Sequence, residues 1–206
     1  EPYQSINYVS CHDNHTLFDR IALTAPEASR ADRIKMNNLA AAVPPGSEKL
    51  FFHPYLLGEM TPYNNDKLRA SYTGVGMYHT KGHFVRATME GISYSMRDSL
   101  EEIRRNNVRV DQFRVIGGGA KSPIWCQLYA DITGLPVRIP AEKEAACLGA
   151  AMIAAVADGK FADFNEAAKE LVSFTKEYTP NPCEHYERKY RRFCKLYDAA
   201  LEINQI

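Results

Sequence analysis

The stretch 112-QFRVIGGGAKSPIWCQLYADITGLPVRIP-140 constrains the fold more than any other. A β-prone run, FRVI, ends in Gly117, Gly118 and Gly119, and the chain turns helical at Ser122 and Pro123. Serine caps a helix start well, and proline suits the first helical turn. Gly134 closes that helix, and PVRIP supplies a further strand. Strand, glycine turn, helix and strand in one short run call for an α/β arrangement.

The remaining residues after position 44 extend the pattern. LFFHPYL (50–56) and residues 71–76 read as strands, with a loop over residues 59–69 between them. A long amphipathic helix is expected over residues 82–106. Val85, Met89, Ile92, Met96, Leu100 and Ile103 recur there at steps of three and four, and Arg86 with Glu90 forms an i,i+4 ion pair. Residues 144–159 form a small-residue helix suited to close packing. Two more helices, around 163–174 and 183–203, make a helical tail, the last with Tyr186, Tyr190, Phe193, Tyr197 and Ala200 on one face. Upstream, residues 27–43 have helical composition until Pro44, Pro45 and Gly46 interrupt it, which marks the strongest boundary candidate.

Charge and cysteine usage narrow the classes. Acidic and basic residues number 25 each, so binding to nucleic acid or a membrane surface through bulk charge is not expected. No apolar run is long enough to span a membrane, and the first residues carry no visible signal peptide. Five dispersed cysteines read as reduced thiols, which suggests a cytoplasmic setting.

Glycines without Cβ let backbone N–H groups approach a phosphate closely, and the following helix directs its dipole at the bound anion. The turn matches neither the GxGxxG nor the GxxxxGKS pattern, and spacing alone leaves a purely structural turn open. The segments VPPGSEKLFFHPYLLGEMTP (43–62), GHFVRATMEGISYSMRD (82–98), VIGGGAKSPIWCQLYADITGLPV (115–137) and EAACLGAAMIAAVADG (144–159) together resemble the C-terminal part of the FGGY family of sugar kinases, in its xylulokinase-like branch. The resemblance implies an incomplete ribonuclease H-like, actin-like ATPase domain over residues 44–206, ending in a helical tail. It also implies ATP with Mg²⁺, a nucleotide and a sugar as small-molecule partners, and nucleotide contacts from Gly117, Gly118, Gly119 and Ala120. The family's short ATP-side strand maps onto residues 69–74, which makes Gly74 at its end a further nucleotide-side candidate. Two positions depart from the family pattern: Met60 stands where it usually has arginine, and Ala70 where it has glycine. The family's sugar pocket and general-base aspartate lie upstream of the matched portion, so kinase turnover by these residues alone is not expected. Missing early strands would leave a sheet edge open to self-association.

The first residues carry a separate resemblance. SINYVSCHDNHTLFDRI is similar to a strand and loop of α-amylase-superfamily glycoside hydrolases of the pullulanase type. This makes residues 1–43 a strand, His-Asp loop and helix, with Asp13 as a transition-state carboxylate and His12 beside it. That chemistry needs two further carboxylates, and a complete barrel needs at least about 200 residues. Asp13 and His12 therefore read as a relic, and a capping loop is the simpler alternative. Zinc binding by His12, Asp13 and His15 fits no established ligand spacing, and no metal site is expected. Elsewhere, His53 should find a backbone partner, His79 and His83 should sit at a helix start, and Trp125 and Tyr129 should belong to the core rather than stack on a base.

Overall fold

The computed structural model describes residue 35 and residues 38–142, 144–181 and 183–204. The His12 and Asp13 loop and the rest of the glycoside-hydrolase-like segment up to residue 34 lie outside the described residues. A helical turn at residues 38–41 leads into the double proline.

Two small sheets carry the strands. β1 (Phe51–His53) pairs antiparallel with β2 (Ser71–Thr73), Phe52 opposite Tyr72. Helix α1 (Lys81–Arg105) then crosses this pair. Thr80 caps it in a capping box with His83 at the third position, which places that histidine at the helix start as expected. Gly91 permits the crossing, because a Cβ there would lie 2.1 Å from the Phe52 carbonyl oxygen. The apolar stripe faces inward: Met89 and Leu100 are buried, and Val85, Ile92, Met96 and Ile103 pack against the core.

β3 (Phe113–Arg114), α2 (Pro123–Thr133) and β4 (Val137–Pro140) form a strand–helix–strand unit with the two strands parallel. Ser122 Oγ accepts from the Trp125 N–H, and Gly134 ends α2 in the left-handed conformation at φ 71°. Trp125 and Tyr129 stack 5.8 Å apart, both buried in the core. α3 (Ala145–Ala157) and α4 (Phe164–Leu171) follow. The chain then returns as β5 (Phe174–Tyr178), antiparallel to β4. This strand corrects the helical tail expected from the sequence: α4 stops at Leu171, and β5 completes a three-stranded sheet before the last helix. As an edge strand β5 exposes Lys176 and Glu177, charges that discourage pairing with another chain. α3 also departs from expectation, since none of its residues is buried and Ile153 is 61% exposed.

α5 (Glu184–Asn204) closes the core with Tyr186, Tyr190, Phe193 and Tyr197, the aromatic face expected for it. His53 is fully enclosed, with its Nε2 3.2 Å from the Phe193 carbonyl oxygen. Among the described residues, no helix is long and apolar enough to cross a membrane.

A buried ionic cluster ties these parts together. Arg86 Nε donates to Glu90 Oε1 at 2.8 Å, and Lys189 Nζ from α5 lies 3.3 Å from Glu90 Oε2. Glu90 also accepts from the Gly46 N–H at 2.8 Å and from Ser47 Oγ at 3.1 Å. Lys189 donates in turn to the Gly46 carbonyl and to the Leu50 carbonyl at 3.0 Å. The cluster grips a run of left-handed backbone, Gly46 (φ 90°), Ser47 (φ 46°), Glu48 (φ 47°) and Lys49 (φ 74°). Each non-glycine residue in that conformation costs about 1–2 kcal/mol. The buried bonds to Glu90 and Lys189 offset that cost and hold the turn in place.

Candidate functional site

The glycine turn follows β3 directly. Gly117 is left-handed at φ 73°, whereas Gly118 sits in ordinary right-handed helical space at φ −63°, ψ −38°. One tight helical turn, Gly119–Lys121, then delivers the chain to the Ser122 cap of α2.

The carbonyls of the turn are committed inward. Gly118 O accepts from the Lys121 N–H and Gly119 O from the Ser122 N–H, each at 3.1 Å. The buried Cys126 thiol adds long contacts of 3.6 Å to Gly119 O and 3.8 Å to Ala120 O. Burial pushes that thiol up to about 11, so at neutral pH it stays protonated and acts as a donor. The backbone bonds of the described residues include none donated by the amides of Gly118, Gly119 or Ala120. A Cβ built on Gly119 meets nothing within 4 Å. Amides without a backbone acceptor among the described residues, open space and a capped helix behind them fit an anionic group of phosphate size.

Basic residues stand on the turn itself and on the neighbouring strands. Lys121 is exposed at the end of the turn. Arg114 on β3 is half-buried, its guanidinium 5.3 Å from the Phe174 ring, and burial with the nearby Arg138 lowers its pKa. Arg138 itself pairs with Glu177 at 2.7 Å.

The structure thus gathers Gly117, Gly118, Gly119 and Ala120 at one turn. Gly74 lies apart from them, just after β2 on the other sheet, where it is left-handed at φ 86° and a Cβ would come 2.7 Å from the Lys49 carbonyl oxygen. That close backbone approach accounts for the glycine without a ligand. Met60 is 72% exposed, at the surface of the loop before β2. The sequence reading did find the Arg86 and Glu90 pair, as helix support. It missed that the pair is buried and joined by Lys189, for which the local pattern held no signal.

Comparison with known proteins supplies the context for this geometry. The sequence pattern described as the FGGY family of carbohydrate kinases, C-terminal domain, matches residues 11–157. The match runs across the double proline and takes in His12 and Asp13, and nothing in these comparisons supports a glycoside-hydrolase reading of the first residues. A xylulose kinase of Staphylococcus epidermidis is 37% identical over 168 residues, covering 81% of this chain and 34% of that protein. The solved structure of a xylulose kinase from Rhodospirillum rubrum superposes with a TM-score of 0.80 at 30% identity, covering 92% of this chain and 38% of that one. A glycerol kinase structure from Plasmodium falciparum, 18% identical, shares the fold with a TM-score of 0.73 over 91% of this chain and 37% of that one. The chain spans about a third of the length of the curated relatives it matches.

Proposed function

Because this chain belongs to the FGGY family of carbohydrate kinases, through the family's C-terminal domain, we propose that it forms the ATP-side part of a xylulose-kinase-like enzyme. Its fold is part of an actin-like ATPase domain with a helical C-terminal region, as in the sugar kinases it superposes on. The parent reaction moves the γ-phosphoryl group of ATP to a hydroxyl of a ketopentose. The β,γ-bridging P–O bond breaks, a new P–O bond forms to the sugar oxygen, the hydroxyl proton passes to a base, and ADP leaves. Mg²⁺ would neutralise phosphate charge in that reaction, and no residue of this chain is assigned to hold it.

Within that scheme this chain's part is to bind and orient the nucleotide. The amides of Gly118, Gly119 and Ala120 meet the phosphate side, the committed carbonyls and Cys126 keep the turn rigid, and the Ser122-capped α2 adds its dipole. One observation carries the reading: a β3–glycine turn–α2 unit whose Gly118, Gly119 and Ala120 amides find no backbone acceptor among the described residues, in a chain matched by the family pattern across that unit.

Gly118→Val tests it cleanly. Gly118 has a negative φ, so a side chain brings no left-handed strain and acts by blocking approach to the turn. Calorimetric titration with ATP should show binding to the native chain and at least about a tenfold loss in the variant, the size expected for one lost charge-assisted bond. An ATP affinity unchanged by Gly118→Val removes the assignment.

A further inference from the structure

A second site lies across the molecule's other sheet, where α5 passes the left-handed turn at residues 46–49. There a cavity of about 220 Å³ is lined by Lys49, Phe51, His185, Arg188, Lys189 and Arg192. Five of these six residues carry a basic nitrogen, and none carries a carboxylate, in a chain whose charges otherwise balance. At roughly 30 Å³ per water in the liquid, the cavity admits a handful of waters or one compact oxyanion, but not a polymer strand.

The helix concentrates these charges at a cost. His185, Arg188, Lys189 and Arg192 follow an i, i+3, i+4, i+7 pattern, which sets them on one face of α5. Arg188 and Arg192 are thus like charges four residues apart, an arrangement that destabilises an isolated helix by about 0.2–0.5 kcal/mol. Cations also favour the C-terminal end of a helix dipole, yet α5 has none in its last turn and gathers four of its five lysines and arginines in its first half. Lys189 is already committed to Glu90 and to the Gly46 and Leu50 carbonyls. Glu90 balances one of its two buried cations, Arg86 and Lys189, and the other leaves net positive charge beneath the cavity. Among the described residues, Lys49, Arg188 and Arg192 make no ion pair. The nearest acid on the turn, Glu48, leans away to His83 at 3.6 Å. The strained backbone of residues 46–49 is what places Lys49 opposite the arginines.

We infer that this pocket binds the phosphoryl group of a small molecule, held by the Arg188 and Arg192 guanidinium forks and the Lys49 ammonium. Planar guanidinium forks match the oxygens of a phosphoryl group in pairs, and Phe51 supplies an apolar wall for the body that carries it. His185 contributes a ring rather than a charge. Burial first, then Lys189, hold its pKa below the usual histidine value against an opposing pull from Glu90, with lesser lowering from each arginine. This site is separate from the glycine turn and does not depend on it.

The test is calorimetric titration of the 206-residue chain with inorganic pyrophosphate, with inorganic phosphate as a second probe. Saturable binding is expected, weakened at least about tenfold by Arg188→Gln and further by adding Arg192→Gln. Arg191→Gln should bind as the native chain does, since Arg191 faces Glu187 at 3.4 Å on another flank of α5. Repeating the titrations in the Gly118→Val background, which blocks the nucleotide turn, should leave the loss caused by Arg188→Gln and Arg192→Gln in place, which separates this pocket from that turn. Lys49→Gln, on a different element, decides the matter if an arginine variant fails to melt cooperatively: a loss supports the site and an unchanged affinity overturns it. Binding that never saturates, that survives the double variant, or that falls equally in Arg191→Gln is diffuse surface charge and overturns the inference.

Discussion

Asp98 shows how a single side chain makes stability depend on pH. Its carboxylate accepts from the Tyr190 hydroxyl at 3.0 Å in a largely buried setting. Burial raises its pKa above the ordinary carboxylate value, although the Tyr190 and Tyr63 hydrogen bonds pull the other way. A raised folded-state pKa means the folded chain holds the proton more tightly than the unfolded one. Asp98 therefore costs nothing well below the unfolded pKa, and its penalty grows as pH rises through the folded value. Asp98→Asn keeps an acceptor for Tyr190 and removes the buried charge. Thermal melts should show the variant more stable than the native chain at pH 7, with the gain vanishing by about pH 3, below both pKa values; a gain that is the same at both pH values refutes this account. The Glu90 carboxylate is held instead between two buried cations. Glu90→Gln strands Lys189 and Arg86 without their carboxylate, and a loss of about 3–5 kcal/mol in chemical denaturation is expected. Adding Lys189→Met should recover part of that loss, whereas simple additivity would show the two groups to be uncoupled.

The elements differ in how far the sequence reveals them. Both ends of α2 are legible because caps are local: Ser122, Pro123 and Gly134 each act within one turn of the helix. Ser122→Ala should accordingly cost about 0.5–2 kcal/mol, measured as a lowered midpoint of unfolding. The glycine turn and the inward stripe of α1 are legible for the same reason, since their signals repeat within a few residues. β5 is not legible. Its exposed centre, Thr175, Lys176 and Glu177, lacks an apolar alternation, and only pairing with β4 makes it a strand. α3 fails differently: small apolar residues reveal what a helix can bury, and not whether the partner lies within the same chain. Ile153→Asp should change thermal stability by less than about 0.5 kcal/mol, because the site makes no core contact to lose. A larger drop would mean that α3 is packed in solution. The i,i+4 spacing revealed Arg86 with Glu90, but Lys189 joins them from 99 residues away, beyond the reach of any local pattern.

At the scale of the whole molecule, the chain spans about a third of its curated relatives. If the sugar pocket and the general base lie outside this part, as the family resemblance leads one to expect, the chain cannot phosphorylate a sugar by itself. A coupled ADP-release assay with D-xylulose should find no sugar-dependent turnover by these 206 residues, and sugar-dependent turnover would contradict the assignment of the chain as the ATP-side part alone. The clamp on the left-handed turn also has a consequence for the order of assembly. Gly46 and Lys189 are separated by 143 residues, so the bond between them closes one of the longest loops in the chain. Closing a long loop is entropically slow, and contacts of such span form late. On a ribosome, residues 46–49 leave the exit tunnel long before α5 exists to hold them. Until then the left-handed run lacks its compensation, and the nascent chain should keep these residues in ordinary extended or right-handed backbone. The arrival of α5 converts them, which makes that helix the latch on this part of the fold.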